Sequence, residues 1–175
     1  RWLADMTFCG VGCGFDTKGA GTVVVTPPNK RLDTVHTVQD SREGWVEAAG
    51  IILDAYTGTG HLPSFNCSQI RPKGSPLKTT GGLAPGPQPL IDLINNLIKL
   101  YDSYIGKRVD STLIVDTCNY LGKAVVSGGI RRTALIALGE HNDREFISLK
   151  LDREALLDRR FSSNNSISAP IGMDY

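Results

Sequence analysis

The chain has 175 residues, of which 41% are hydrophobic and 21% charged, a composition typical of a globular domain with a sizeable core. Its 19 Lys and Arg against 18 Asp and Glu give a net charge of +1, so it lacks the basic excess of a general nucleic-acid-binding protein. It has neither a signal-peptide pattern nor an apolar run long enough to span a membrane. We therefore expect a cytoplasmic protein that binds neither DNA nor membranes directly.

The N-terminal part of the chain predicts a helix followed by a glycine-rich strand. Residues 1–9 have a helical pattern that begins at Arg1 rather than Met, which indicates a piece of a longer protein. In GVGCGFD (residues 10–16), glycine at every second position favours a strand with one bare face. A backbone or a flat ligand could approach that face, although tight strand packing explains the glycines equally well. Phe15 stands where a dinucleotide-binding fingerprint would need glycine.

The remaining elements follow from periodicity, caps and turn residues. Residues 40–43 have the form of a capping box, which predicts a helix to about Tyr56. Gly86 and Pro87 open a second helix, whose apolar spacing predicts a buried stripe of Leu90, Ile94, Leu97, Tyr101 and Tyr104. The other predicted elements are strands at 22–26, 64–70 and 133–138, a Gly- and Pro-rich loop at 71–88, helices at 111–126 and 152–160, and a polar segment at 162–168 that enters a strand.

Three polar segments could bind a small anion or a nucleotide. Residues 70–82 combine Arg71, Lys73 and Lys78 with hydroxyls and glycines, which suits a polyphosphate, although a solvated basic loop is an equal reading. Residues 127–134 join a glycine hinge to two arginines, and the alternative is a helix stop with surface arginines. The amides of residues 164–166 could bind a sugar or a base edge, although a polar turn is the simpler interpretation on spacing alone.

The four cysteines, at positions 9, 13, 67 and 118, give no metal-binding or disulfide pattern. Cys9 and Cys13 are not at a usual zinc spacing, and no histidine lies nearby to complete a site. We therefore expect reduced and mostly buried thiols.

Six strings, taken in order along the chain, resemble the catalytic subunit of ribonucleotide reductases. The class that uses adenosylcobalamin, class II, matches best, and the strings at 40–45 and 163–166 look most like its triphosphate reductases. Each string alone is a weak signal, whereas all of them in this order are specific. They are GVGCGFD (10–16), DSREGW (40–45), SQIRPKGSPLK (68–78), GGLAPGP (81–87), GIRRTA (129–134) and SNNS (163–166).

The resemblance implies an α/β fold, in which the chain is a partial piece of the family's ten-stranded α/β barrel with flanking helices and effector-site loops. Residues 1–60 would supply the glycine-rich strand and first helix, and residues 61–110 would supply loop 1 and the next helix. Residues 111–175 would supply a further helix, loop 2 and the next barrel strands. On its own, such a piece would leave strand edges unpaired, so we expect poor solubility or partial folding.

The implied activity converts ribonucleoside triphosphates to 2′-deoxyribonucleotides by a cobalamin-initiated thiyl radical, with a thioredoxin-like reductant. The radical cysteine of the family lies in a downstream Asn-x-Cys-x-Glu loop, and no such string occurs here. The first redox cysteine is expected upstream of Arg1. We therefore predict no catalytic residue in this chain, no activity from the chain alone, and adenosylcobalamin bound mainly by other parts of the enzyme.

The resemblance assigns the chain two kinds of nucleotide-binding residue. Substrate contacts are expected from the glycine-rich strand, from loop 2, where Arg131 would be the main contact, and from the SNNS string: Gly12, Cys13, Gly14, Gly129, Arg131, Arg132, Asn164 and Asn165. Contacts to a deoxynucleotide effector are expected from loop 1: Arg71, Lys73, Ser75, Leu77 and Lys78.

Two other functions remain compatible with these strings. One is a non-catalytic nucleotide-binding regulatory module, and the other is a ribonucleotide reductase of another class. The flanking coding sequence separates the first from the enzyme, because only the enzyme requires an Asn-x-Cys-x-Glu loop downstream. Dependence of the activity on adenosylcobalamin separates the classes of reductase.

Replacing the predicted main substrate contact of loop 2 gives a first test. In the full-length enzyme, Arg131→Ala should lower kcat/KM by roughly 10-fold or more, because a hydrogen bond to a charged group contributes about 1.5–3 kcal/mol. Steady-state kinetics with a ribonucleoside triphosphate measure this effect. Unchanged kinetics would remove the assignment of loop 2.

Overall fold

The computed structural model describes residues 1–77, 82–127 and 133–172, and helices and parallel strands are mixed along these ranges. The helices are α1 (Trp2–Phe8), α2 (Arg42–Tyr56), α3 (Gln88–Asp102), α4 (Ser111–Ser127), α5 (Arg144–Ser148) and α6 (Arg153–Asp158), with 3-10 turns at Leu149–Leu151 and Arg160–Ser162. The strands are β1 (Cys13–Asp16), β2 (Asn29–Thr37), β3 (His61–Asn66), β4 (Leu135–Glu140) and β5 (Ser163–Ser168).

The strands form two parallel sheets, which confirms the predicted α/β class. One sheet has three strands in the order β1-β4-β5, and the other pairs β2 with β3. Cys13 of β1 lies opposite Leu135 of β4, so the chain leaves the first sheet after β1 and returns to it only at β4. Strands β2 and β3 and helices α2 and α3 lie within this long excursion.

Helix α4 lies between two apolar cores. Leu113 and Val125 belong to the larger core, which α1, α2 and α3 complete. Val115 belongs to a smaller cluster that contains Ala137 of the three-stranded sheet. Burial of each large apolar side chain stabilises the fold by roughly 1.5–3 kcal/mol. The larger core therefore holds α4 against the other helices, and the smaller cluster holds it against the three-stranded sheet. Among the helices in the described ranges, none is both long and apolar enough to cross a membrane.

The buried stripe predicted for the second helix is found in α3, except at its end. Leu90, Ile94, Leu97 and Tyr101 are buried, whereas Tyr104 follows the helix and is half-buried. The start of α2, in contrast, differs from the prediction by one residue. Its N-cap is Ser41, whose hydroxyl accepts a hydrogen bond from the Gly44 amide at 3.0 Å, because the carboxylate of Asp40 is paired elsewhere.

Three strand predictions need correction. Residues 22–26 form no strand, and Val24 makes only an isolated antiparallel bridge to Arg108. The strand predicted at 64–70 begins and ends earlier, as β3. Strand β2 was not predicted, because polar and charged residues dominate its first half, at Asn29, Lys30, Arg31 and Asp33, and it is stabilised by pairing with β3.

Candidate functional site

The three-stranded sheet brings the predicted substrate residues of β1 and β5 to the same level. Gly14 of β1 lies opposite Ile136 of β4, and Ile136 lies opposite Asn164 of β5. Neighbouring strands of a sheet are about 4.8 Å apart, so Gly14 and Asn164 flank β4 at about twice that spacing. Residues more than a hundred positions apart along the chain thus meet across one strand.

The sheet has one covered face and one open face. Successive side chains of a strand point to opposite faces, and on the covered face Cys13, Leu135 and Ser163 are buried, with Leu135 against Gly122 of α4. On the open face Gly14 and Asn164 are exposed, and Ile136 is 38% exposed. The next open-face row contains Asp16, Leu138 and Ser166.

Glycine keeps the open face flat along β1. A Cβ atom on Gly14 would lie 3.3 Å from Cγ2 of Ile136, and one on Gly12 would lie 3.8 Å from the carbonyl oxygen of Ala134. With hydrogen at these positions, the backbone of β1 is accessible to a flat group that lies over it. Gly10 requires glycine for another reason, because its φ of 79° is strained for any other residue at the turn after α1.

The described residues that follow loop 2 are tied to the glycine-rich segment. The hydroxyl of Thr133 donates to the carbonyl oxygen of Val11 at 3.2 Å. The Cys13 amide donates to the carbonyl oxygen of Ala134 at 2.8 Å. The predicted substrate contacts Gly129, Arg131 and Arg132 lie outside the described residues.

Two predicted substrate residues have their side chains on the covered face. Cys13 is 5% exposed, and its thiol lies 3.5 Å from the carbonyl oxygen of Val11. The side-chain oxygen of Asn165 accepts a hydrogen bond from the hydroxyl of Ser163 at 3.2 Å. The structure therefore groups Gly12, Gly14 and Asn164 on the open face, whereas Cys13 and Asn165 could reach that face only through their backbone.

The predicted effector loop contains a hairpin, although the sequence indicated only an irregular segment. The Ala84 amide donates to the carbonyl oxygen of Ser75 at 2.7 Å, and the Leu77 amide donates to that of Gly82 at 3.0 Å. The Gly74 amide donates to the carbonyl oxygen of Ala84 at 2.9 Å. We call residues 74–77 and 82–84 the effector hairpin. Lys78 lies outside the described residues.

The base of the effector hairpin is positioned by two contacts. The Arg71 guanidinium donates to the carboxylate of Asp40 at 2.6 Å, and both side chains are about one-third exposed, at 37% and 32%. Gly86 packs on the backbone of Lys73, where a Cβ atom would lie 2.9 Å from the Lys73 nitrogen. Lys73 itself is exposed, and the hydroxyl of Ser75 donates to the carbonyl oxygen of Pro72 at 2.9 Å. The sequence showed Asp40 and Arg71 but not their pairing, which depends on how α2 packs.

The cysteines have different environments from those expected. Cys13 is buried and Cys67 and Cys118 are half-buried, but Cys9 is exposed, so the expectation of burial was wrong for that residue. The sulfur of Cys9 accepts a hydrogen bond from the Arg42 guanidinium at 2.6 Å. Burial raises the pKa of the Cys67 thiol, and it raises the pKa of the Cys118 thiol to about 12. Neither of these two thiols is therefore predisposed to act as a thiolate at neutral pH.

The comparison with solved structures defines the class of protein. A crystal structure of a B12-dependent (class II) ribonucleotide reductase matches 96% of the chain with a TM-score of 0.81 and 28% sequence identity, and the chain covers 28% of that structure. Residues 21–101 match the family model of the B12-dependent ribonucleotide reductase insertion domain. This matched region contains β2, α2, β3, the effector hairpin and nearly all of α3.

Sequence relatives give the same assignment more narrowly. The chain is 40% identical, over 99% of its length, to a protein of Dictyostelium discoideum described as a probable adenosylcobalamin-dependent ribonucleoside-triphosphate reductase. It is also 40% identical, over 99% of its length, to the adenosylcobalamin-dependent ribonucleoside-triphosphate reductase of Euglena gracilis. The chain belongs to the adenosylcobalamin-dependent ribonucleotide reductase family, which confirms the resemblance inferred from the ordered strings. It spans about a quarter of the length of these relatives, at 25% and 24%.

The packing of Gly86 on Lys73 gives a second test. Gly86→Ala should open the effector hairpin, because a residue with φ of +82° would be strained by roughly 1–2 kcal/mol and its Cβ would also clash with the Lys73 backbone. Hydrogen exchange of the Ala84 amide should accelerate about 10-fold or more.

The matched control is Gly74→Ala, because Gly74 also has a left-handed φ, at +90°, but no atom lies within 4 Å of its added Cβ. It should accelerate exchange less than Gly86→Ala does. Equal acceleration in the two variants would show that contact with Lys73 does not hold the hairpin.

Proposed function

We propose that this chain is the segment of a class II ribonucleotide reductase that binds the substrate and the effector nucleotide. The whole enzyme would convert ribonucleoside triphosphates to 2′-deoxyribonucleotides. The observation that carries this proposal is the open sheet face, where the bare backbone of Gly12 and Gly14 lies across β4 from the exposed amide of Asn164. The similarity to ribonucleoside-triphosphate reductases over nearly the whole chain supports it.

The open face offers chemistry that suits a nucleotide. A sugar or base can lie over the glycines, where no side chain intervenes, and its polar edge can hydrogen-bond to the amide of Asn164. Ile136, between them, offers an apolar surface for the flat part of the ligand. Arg131 and Arg132 would add cationic groups from the segment that enters β4, since the residues after them are bonded to the glycine-rich segment.

The effector hairpin offers a separate set of groups for a deoxynucleotide. Arg71, Lys73 and Lys78 would hold the phosphates, and Ser75 and Leu77 would contact the rest of the nucleotide. Lys73 is exposed and Ser75 is half-buried, so both can reach a ligand. Arg71 is held by Asp40 through an ion pair that is partly exposed, and such pairs are weak enough for a phosphate to replace the carboxylate.

Adenosylcobalamin is proposed as the cofactor of the whole enzyme, in which it would supply the initiating radical. The described residues do not fit a site for it. The cobalt of a cobalamin is already held by the four nitrogens of its corrin ring, so the protein mainly has to supply a broad surface for the ring. The two open-face rows offer only Ile136 and Leu138 as large apolar side chains, beside Asp16, Asn164 and Ser166. We therefore assign cofactor binding to other parts of the enzyme.

The cytoplasmic location, the thioredoxin-like reductant and the three-part division at residues 60 and 110 remain predictions.

Neighbouring asparagines on opposite faces of β5 test the substrate site. Adenosylcobalamin-dependent reduction of a ribonucleoside triphosphate is measured in the enzyme that contains this chain. Asn164→Ala should raise KM about fivefold, which corresponds to one lost hydrogen bond. Asn165→Ala should raise KM less, because that side chain is bonded to Ser163 on the covered face. Equal KM values for Asn164→Ala and the wild type would contradict the proposed site, and activity without adenosylcobalamin would contradict the class.

The ion pair at the base of the hairpin tests the effector site through two variants with opposite expected signs. Arg71→Ala should weaken binding of a deoxynucleoside triphosphate effector about 10-fold, because a charged hydrogen bond is lost. Asp40→Asn should tighten binding about two- to fivefold, because it releases Arg71 from a partly exposed ion pair. Equilibrium dialysis measures both affinities. If both variants weaken binding, Arg71 acts on the hairpin structure and not on the phosphates.

A further inference from the structure

The segment before β5 is attached to α4 by a buried ion pair. Asp116 of α4 is 1% exposed, and Arg160 is 5% exposed. The Arg160 guanidinium donates to both carboxylate oxygens of Asp116, from Nε at 2.7 Å and from a terminal nitrogen at 2.9 Å. Arg159 adds a third hydrogen bond to the same carboxylate at 2.7 Å. Two parallel hydrogen bonds of this kind fix both the distance and the orientation of the groups.

Further contacts attach the residues between Arg160 and Asn164. The hydroxyl of Ser162 lies 2.9 Å from the backbone oxygen and 2.6 Å from the side-chain oxygen of Asn119, which is fully buried on α4. A Cβ atom on Gly122 would lie 3.0 Å from the Ser162 hydroxyl, so α4 and this segment are in close contact. The Lys150 ammonium donates to the carbonyl oxygens of Arg160 and Ser163.

These contacts end one residue before the exposed asparagine of β5. We call the Asp116–Arg160 ion pair and the Asn119–Ser162 hydrogen bonds the β5 clamp. We propose that the β5 clamp positions the start of β5 against α4, so that Asn164 is held on the open face in register with Gly14 across β4. This inference rests on the proposed function, because it assigns the clamp a role only if Asn164 contacts the substrate.

The geometry favours positioning over direct binding. Asp116 and Arg160 lie beneath the covered face, so neither side chain can touch a ligand on the open face. Apolar side chains could provide cohesion alone, and burying an ion pair is often no more stabilising than a well-packed apolar pair. A bidentate pair adds a defined orientation, and small displacements of a binding group can cost a large part of its effect. Asp116 and Arg160 are therefore positioning residues.

A double-mutant cycle tests the clamp in the enzyme that contains this chain. The dissociation constant of a ribonucleoside triphosphate is measured by equilibrium dialysis for Asp116→Asn, Asn164→Ala and the double variant. Asp116→Asn should raise Kd about fivefold in the wild-type background and should have no further effect in the Asn164→Ala background. Ser162→Ala, which deletes only a hydroxyl, should give the same pattern at about twofold. If Asp116→Asn does not fold, Ser162→Ala is the variant that tests the β5 clamp.

The matched control is Asp158→Asn, the same chemical change on a carboxylate that contacts Lys123 and Arg159 but does not accept the fork of Arg160. Its Kd should equal that of the wild type. If Asn164→Ala leaves Kd unchanged, the proposed substrate site fails. If Asn164→Ala raises Kd, but the clamp variants change nothing or add independently to it, the positioning role is overturned while the substrate site stands.

Discussion

The pairing of Asp116 determines where the chain before β5 lies against α4. Its helix is packed on one side by Leu113 and Val125 and on the other by Val115, so the carboxylate lies where water does not reach it. A buried charge that loses its partner costs about 3–5 kcal/mol. Arg159 and Arg160 neutralise it, and for this reason the chain before β5 must run across α4. The position of β5, and of Asn164 on it, follows from this constraint.

Two ion pairs of the molecule differ in burial and hence in what they can do. In the pair of Asp116 with Arg160, the side chains are 1% and 6% exposed, so water and ions cannot compete for either group. In the pair of Asp40 with Arg71, the side chains are 32% and 37% exposed, and an exposed pair contributes only about 0–1 kcal/mol. The first is suited to fixing a strand. The second is suited to exchange with an anionic ligand at the base of the effector hairpin.

Sequence reasoning succeeded for helices with one apolar face, because regular spacing of apolar residues predicts such a face. The stripe of α3 and the extent of α4 follow from apolar spacing, because burial of one face is what forms such helices. It failed where the structure of a segment depends on another segment that pairs with it. Residues 22–26 have β-branched side chains but only a single bridge, and β2 is a strand because β3 lies beside it. The same limit applies to Ser41, which caps α2 because Asp40 is engaged by Arg71.

The sequence predicted which segments form the candidate site, but not which of their residues lie on the open face of the sheet. The strings that contain Gly14 and Asn164 were both expected to meet the substrate, and the family match supports their membership of one reductase segment. Which of two neighbouring residues faces a ligand depends on the register between strands. That register is set by the pairing of the strands, so it cannot be predicted from either string alone. A shift of one residue in β5 would exchange Asn164 with Asn165 on the open face.

The open face of the three-stranded sheet carries an apolar side chain in each of its two rows. Parallel sheets occur almost only with both faces covered, yet Ile136 and Leu138 are 38% and 44% exposed on this face. Two exposed apolar side chains in adjacent rows of a parallel sheet offer a surface on which further protein could pack. The relatives are about four times as long as this chain, since it spans 25% of the first, and they have enough chain to close the sheet. A closed barrel would place Gly14 and Asn164 on its inner wall, where a nucleotide is shielded from water.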